Sequence, residues 1–500
     1  MHPSHSESNS SLKRPALGLV LLFSALAGLI AISHDSLWID EAYSARYAVQ
    51  ATPAALWHTL AASPGSDVQM PFYMIYLWAW EKLCGSSEWA LRAANIPWFL
   101  LAQAALWLGL RRWPRLQMAT VICAACDPFL WRYLDEARPY LMQYSGAAIV
   151  LGSLARLVPP RPPVISARWI LAFGGGLLVL CGSSALGIPW AGAAVLALLC
   201  LAWGRARETK VLALLVAAAI VALGLATLAA YFVWTVKKGA GGAVGFGHRL
   251  GSLCFAAYEL LGFAGLGPSR IQVSDANPMD FAPFLARLAP LALLLAGALY
   301  MGVRTFWRFA DGRTKAAALL YVFIPPAMVI ALVYRSDFHA VGRHFTPMAP
   351  VVILLVAAAL DAAWRYKARW KIGWMAALLL LWLASSLQVR FAARQRRDDY
   401  RDSAAIARAA LLSGKRVWWV AADAGGEYYH VPLSNNSDGT QTARVIWCPH
   451  PQELAALRPP DIVIFSKPAI FDIGGALSAY LHAHSYRPVS NLPAFTIWEK

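Results

Sequence analysis

Long apolar runs recur along this 500-residue chain, and short basic loops separate them. A hydrocarbon layer about 30 Å thick takes roughly 20 apolar residues per helical crossing. Backbone polar groups inside that layer must bond within their own segment, which leaves the helix as the economical solution for runs of this kind. The chain is therefore expected to be a polytopic α-helical membrane protein. Its composition agrees, with 59% hydrophobic and only 14% charged residues, against about 25% charged in a soluble domain.

The formal charge of +17 would point to nucleic acid in a soluble protein. Here the basic residues sit between apolar runs: Arg111, Arg112 and Arg115; Arg156, Arg161 and Arg168; Arg205, Arg207 and Lys210; Arg304, Arg308, Arg313 and Lys315; Arg365, Lys367, Arg369 and Lys371. Few acids share those loops, so they face the cytoplasm by the positive-inside rule, and no nucleic-acid partner is implied. Lys13 and Arg14 place the N-terminus inside. The first apolar run, 15–34, exceeds a signal-peptide core of about 7–15 residues and reads as an uncleaved anchor. It delivers Asp40 and Glu41 to the outer face.

Parity organises the rest. Expected spans follow at 88–110, 116–133, 139–157, 169–186, 188–203, 211–235, 283–303, 316–334, 346–363 and 372–390. With the first run they give about 11 crossings, N-terminus in and C-terminus out. The short run 70–83 suits an interfacial or re-entrant helix. The outer segments are then 35–87, a turn at 134–139, a Gly-rich stretch at 236–282, and 335–345. Residues 1–14 form a Ser-rich cytoplasmic tail, 15–390 the membrane module, and 391–500 an outer α/β domain. That last assignment rests on β-rich runs such as RVWWVA and DIVIFS alternating with helical patterns at 401–412, 451–457 and 474–484. The DDYRD stretch at 398–402 reads as a charged start to this domain.

Other features carry less. The 7 cysteines lie mostly inside apolar spans and form no disulfide framework. Cys123 and Cys126 spell CxxC but read as small packing residues. GAGGAVGFG and GFAGLGP look like phosphate cradles, yet neither follows a strand or carries the lysine of a P-loop. A flexible loop and close helix packing explain them better.

Chemistry concentrates at the outer surface. Asp40 and Glu41 follow the first helix, Asp135, Glu136 and Arg138 lie in YLDEARPY, and Arg343 and His344 lie in AVGRHFTP. The middles of the spans hold almost no ionisable residues, whereas an ion-coupled transporter would need them there. Acids and arginines at a headgroup surface suit a polyprenyl-phosphate sugar. A carboxylate can take the proton of an acceptor hydroxyl, while guanidinium groups hold the departing phosphate. One in-line displacement inverts the anomeric centre.

SLWIDEAYSARYA, MPFYMIYLWAWEKLCGSSEWALRAANIPWFLL and DPFLWRYLDEARPYLMQYSGAAIVLGSL, in that order and spacing, resemble the GT-C superfamily of membrane glycosyltransferases. The likeness is to bacterial proteins similar to protein O-mannosyltransferases and lipid A aminoarabinose transferases; it thins in the middle helices and returns at VGRHFTPMAPVVILL. The resemblance implies that Asp40 is the catalytic acidic residue and Glu41 its partner. It places Glu136 and Arg138 near the donor phosphate and sugar, with Asp135, Arg343 and His344 on the same side. The chain departs from the pattern at His344, where an aromatic residue usually follows the arginine, and at Gln69-Met70-Pro71, where relatives show His or Lys before two prolines.

The expected partners are a polyprenyl-phosphate-linked sugar donor, a glycan, glycolipid or protein acceptor, and the bilayer of a bacterial inner membrane. Some GT-C enzymes use a divalent cation, and His339 and His344 are the residues that could contribute to one. The alternative class is a polytopic lipid or glycan transporter with an outer binding domain. A catalytically dead scaffold is disfavoured by the retained acids and arginines.

Overall fold

A computed structural model describes residues 17–63, 65–158, 166–202, 211–238, 249–270, 272–273, 278–336 and 340–500. The protein is a polytopic helical membrane protein carrying a small C-terminal sheet domain. The chain begins with α1 (Leu17–Ala31), α2 (Ile39–Ala48), α3 (Pro53–Ala62), α4 (Pro71–Cys84), α5 (Glu88–Ala93) and α6 (Asn95–Gly109). Then come α7 (Pro114–Cys126), α8 (Pro128–Leu134), α9 (Tyr140–Ala155), α10 (Ala167–Ser183), α11 (Ile188–Ala202) and α12 (Val211–Lys237). The module closes with α13 (Arg249–Leu260), α14 (Leu285–Phe309), α15 (Gly312–Ser336), α16 (Ala349–Tyr366) and α17 (Arg369–Phe391).

Among the described residues, 6 helices are long and apolar enough to cross a membrane, and shorter apolar helices accompany them at Leu17–Ala31, Ala167–Ser183 and Leu250–Leu260. The tail 1–14 and the GAGGAVGFG loop lie outside the described residues. Two segments differ from expectation. The span expected at 116–133 is two helices, because Pro128 disfavours helical backbone at Asp127. Asp127 instead accepts hydrogen bonds from the Phe129 and Leu130 amides at 2.8 and 3.3 Å and starts α8 afresh. The stretch 236–282 is not merely a Gly-rich loop, since it contains α13, which brings Glu259 to the site described below.

The centre of the module is α9, buried along nearly its whole length between α6 and α10. Glycines permit that closeness. A Cβ on Gly109 of α6 would sit 2.5 Å from the backbone of Gly152 of α9, and one on Gly146 would sit 2.7 Å from the Leu180 amide of α10. The backbones therefore touch, as small residues allow in membrane helices. GFAGLGP behaves likewise: a Cβ on Gly265 would lie 1.8 Å from the Ser385 carbonyl of α17.

The C-terminal domain runs α18 (Tyr400–Leu412), β1 (Val417–Val420), α19 (Asp423–Tyr428), β2 (Leu433–Ser434), β3 (Ala443–Val445), α20 (Pro451–Ala456), β4 (Ile462–Ser466), α21 (Pro468–Phe471), α22 (Ala476–Ala483), β5 (Arg487–Leu492) and β6 (Phe495–Glu499). The sheet order is β2-β3-β1-β4-β6-β5. Strands β2, β3, β1 and β4 are parallel, with Trp418 opposite Val463, and β6 and β5 are antiparallel to their neighbours. Every residue of β1 and β4 is buried, as expected of parallel strands covered on both faces. The apolar core of this domain continues onto Ile39 and Tyr43 of α2. Helix α2 thus joins the two parts.

Gly109→Val should force α6 and α9 apart and cost about 1–3 kcal/mol of overpacking strain. The expected result is a lower melting temperature of the detergent-solubilised protein; an unchanged value would contradict the backbone contact between Gly109 and Gly152.

Candidate functional site

Helix α2 sets the geometry. Trp38 is its N-cap residue, and Asp40 and Glu41 lie in its first turn, where the helix dipole favours negative charge. Successive helical residues point about 100° apart, from 3.6 residues per turn. The two carboxylates therefore diverge, one into the protein and one along its surface.

Glu41 points inward and is fully buried. Its Oε1 accepts from Arg92 Nε at 2.8 Å and from the Ala137 amide at 2.8 Å, while its Oε2 accepts from Arg92 Nη2 at 2.7 Å. Arg397 Nη1 lies 3.4 Å away. Arg92, on α5, uses its remaining donors on Ser33 Oγ and the carbonyls of Ser33, Asp35 and Ser36. Burial raises the Glu41 carboxyl, but Arg92, then Arg397, and the Ala137 amide outweigh it and hold its pKa below the ordinary glutamate value.

Asp40 points to a half-open surface. Its Oδ2 lies 2.5 Å from Arg343 Nη1, with side-chain exposures of 26% and 21%, so both groups can meet a ligand. Burial raises its pKa, yet Arg343, Arg138 and Lys467 together bring it below the usual aspartate range. Arg138 is buried beneath, donating through Nη1 to Asp67 at 2.6 Å, Ser44 Oγ at 2.8 Å and the Asp40 carbonyl at 3.1 Å. Met70 Sδ lies 3.6 Å from its Nη2, so the Gln69-Met70-Pro71 segment meets the site through a thioether.

The YLDEARPY turn joins α8 to α9. Asn95 at the start of α6 holds it, donating to the carbonyls of Tyr133, Leu134 and Glu136. Asp135 accepts from the Ser33 amide at 2.6 Å and faces Arg92 and Arg397 at 3.8 and 3.9 Å. Burial outweighs those arginines and raises its pKa. Glu136 is fully buried, and neither carboxylate oxygen has a hydrogen-bond partner among the described residues. Arg397, Arg132 and Arg270 stand at 3.5, 3.8 and 3.8 Å from its Oε1. Among the described residues these three arginines, rather than the nearby Arg138, face its carboxylate. Arg270 also forks onto Glu259 at 2.6 and 3.1 Å and reaches the Tyr133 hydroxyl at 2.8 Å. Glu259 also accepts from the Gly342 amide at 2.9 Å, fixing the turn that presents Arg343.

The sheet domain closes the other side. Tyr43 and Arg46 of α2 bond Asp423, and Tyr429 bonds Ser36, the Leu37 amide and Glu88. Asp398, expected as part of a charged start to the outer domain, is buried, receiving Lys467 at 2.5 Å and the Ile39 amide at 3.3 Å.

No family model matches this sequence, and no curated protein matches it. Among solved structures the chain is similar to ArnT from Cupriavidus metallidurans bound to undecaprenyl phosphate, with TM-score 0.54, 14% identity, and 97% of this chain and 98% of that one covered. The same protein in the apo state gives TM-score 0.51 at 14% identity, covering 96% and 97%. The chain has the GT-C fold.

On this GT-C frame the expected residues Asp40, Glu41, Asp135, Glu136, Arg138 and Arg343 all fall in one connected polar cluster. His344 sits beside it, its Nδ1 accepting from the Val341 amide at 3.1 Å and closing its own turn. His339 lies outside the described residues. Sequence reasoning missed Arg92, Asn95, Arg132, Glu259, Arg270 and Arg397, which supply most of the cluster's internal partners. Arg92 and Arg132 lie inside quoted segments and were legible as charges in apolar surroundings. Arg270 and Arg397 stand in loops with no motif to mark them. The carboxylates here face guanidinium groups, and among the described residues no group of three or more His, Cys, Asp or Glu side chains could hold a metal ion.

Glu41→Gln would leave Arg92 buried beside a neutral amide, a loss of about 3–5 kcal/mol for one partner of a buried pair. A folded pKa held low gives stability that is present above the unfolded value of about 4.3 and fades as pH falls through the folded one. Melting temperature should therefore drop sharply in Glu41→Gln, and the wild-type excess over it should shrink on acidification below that range; equal melting curves at neutral pH would refute the assignment.

Proposed function

We propose that the protein is an inverting glycosyltransferase that takes its sugar from a polyprenyl-phosphate donor and acts at the outer face of the membrane. One observation carries this reading: Asp40 is a part-exposed carboxylate kept ionised by Arg343, on a rigid helix above a GT-C membrane module. The likeness to ArnT, whose solved structure holds undecaprenyl phosphate, supports a polyprenyl phosphate as the lipid half of the donor.

In this mechanism Asp40 takes the proton of the acceptor hydroxyl as that oxygen attacks the anomeric carbon. The bond from carbon to the phosphate oxygen breaks, its electron pair leaves with the phosphate, and Arg343 meets the growing negative charge. Arg138 holds the turn under Asp40 and acts as a positioning residue. Glu41 fixes the helix through Arg92. Glu136 offers two acceptor oxygens to hydroxyl or amino groups of the donor sugar, with Asp135 and His344 bordering the same wall. The acceptor is an envelope glycan, a glycolipid or a protein side chain. The N-terminus lies in the cytoplasm and the sheet domain on the outer side of a bacterial inner membrane.

Asp40→Asn in folded protein should reduce release of polyprenyl phosphate from a labelled polyprenyl-phosphate sugar by about 10²–10⁴-fold, the range for a general base. Transfer at the wild-type rate would sink the proposal, and movement of intact donor across the bilayer without release would favour a transporter. The low pKa of Asp40 also sets the pH dependence. Because the base is already ionised, kcat/KM should stay flat down to about pH 5 and fall only below the ordinary aspartate value of about 3.9. In the residual activity of Arg343→Gln that acid limb should move upward; an unmoved limb would separate Arg343 from Asp40.

A further inference from the structure

The sheet domain itself brings a cation, Lys467, to the proposed donor site. Lys467 follows β4 at the C-terminal edge of the parallel strands, the edge at which open α/β sheets present ligand-binding loops. The loop after β1, at the same edge, places Asp423 against Tyr43 and Arg46 of α2. These two loops therefore face the helix that carries Asp40.

Lys467 adopts a left-handed backbone, φ 37°, although it is not glycine. Non-glycine residues persist there only when the surroundings impose it, and such strain gathers at binding sites. Its Nζ lies 5.9 Å from the centre of the Trp38 ring, and the guanidinium carbon of Arg343 lies 5.6 Å from the same ring. Two cations, one from each part of the protein, thus meet at one indole beside Asp40. Asp398 anchors Lys467 with a single bond of 2.5 Å. An ammonium has three donors. Among the described residues, the other two bond no protein atom, while the side chain keeps 24% of its surface exposed.

We propose that Lys467 of the sheet domain and Arg343 of the membrane module form a two-cation clamp for the donor's phosphate, so that the site is incomplete without the C-terminal domain. This rests on the glycosyltransferase reading above. The purely structural alternative is that Lys467 and Asp398 only dock the domain. The two differ in what Lys467 does for a ligand: a clamp predicts phosphate binding that depends on the charge, whereas a dock predicts loss of stability alone. Arg343 and Lys467 also pull the Asp40 carboxyl in the same direction, which is consistent with a shared locus.

The test uses full-length protein in nanodiscs, with undecaprenyl phosphate as the binding probe and a labelled polyprenyl-phosphate sugar for kinetics. Lys467→Met should weaken undecaprenyl phosphate binding by about 10-fold or more, the size of a charged hydrogen bond. Donor KM should rise more than kcat falls, the melting temperature should fall because buried Asp398 loses its partner, and Lys467→Arg should recover most of the affinity. In wild-type protein, undecaprenyl phosphate should slow acetylation of Lys467, read by mass spectrometry, which needs no variant. Unchanged binding in Lys467→Met, or unslowed acetylation of Lys467 while the lipid is bound, would overturn the clamp and leave the glycosyltransferase reading intact. Wild-type protein that neither binds undecaprenyl phosphate nor releases it from the donor would overturn both.

Discussion

The fork between Glu41 and Arg92 is the contact on which the site hangs. Both side chains are fully buried, and nearly every donor and acceptor they carry is filled. A buried ion pair is a weak source of net stability, because desolvation offsets most of the attraction. Its value here is geometric. Arg92 gathers the carbonyls of Ser33, Asp35 and Ser36 at the exit of α1, and Glu41 adds the Ala137 amide from the turn between α8 and α9. Four separate chain segments are tied at one point, and Asp40 is displayed from it.

A second fork repeats the device on the opposite wall. Arg270 grips Glu259, and Glu259 takes the Gly342 amide, so the turn bearing Arg343 is held as firmly as the turn bearing Asp40. Glu136 lies between the forks with arginines on several sides and, among the described residues, no hydrogen bond to either oxygen. An acceptor desolvated in this way is costly unless something else fills it. The rigid parts of the cluster thus frame one unsatisfied group.

The membrane class and the sheet domain were legible in the sequence, because apolar length and alternation are local properties, whereas of the 11 expected crossings 6 are helices long and apolar enough to span among the described residues. The sequence also marked Asp40, Glu41, Glu136, Arg138 and Arg343, which stand as charges at the ends of apolar runs. What it concealed depends on three-dimensional closure. Arg397 and Arg270 look like ordinary loop arginines until α17 and α13 bring them beside Glu136. Asp398 looks like a charged start to the domain until the segment after β4 delivers Lys467 to it. The break at Asp127-Pro128 was readable from the proline, but the continuous apolar run masked it.

The adjacency of Asp40 and Glu41 has a consequence for tolerance to change. Their divergent directions come from one step of helical rotation, so the two functions are separated by phase alone. Deleting or inserting a residue between Leu37 and Asp40 would turn the helix by that same step. It would aim a different side chain at Arg92 and a different one at Arg343, without altering any residue's identity. The segment is therefore a timing element, protected less by the chemistry of each residue than by their count.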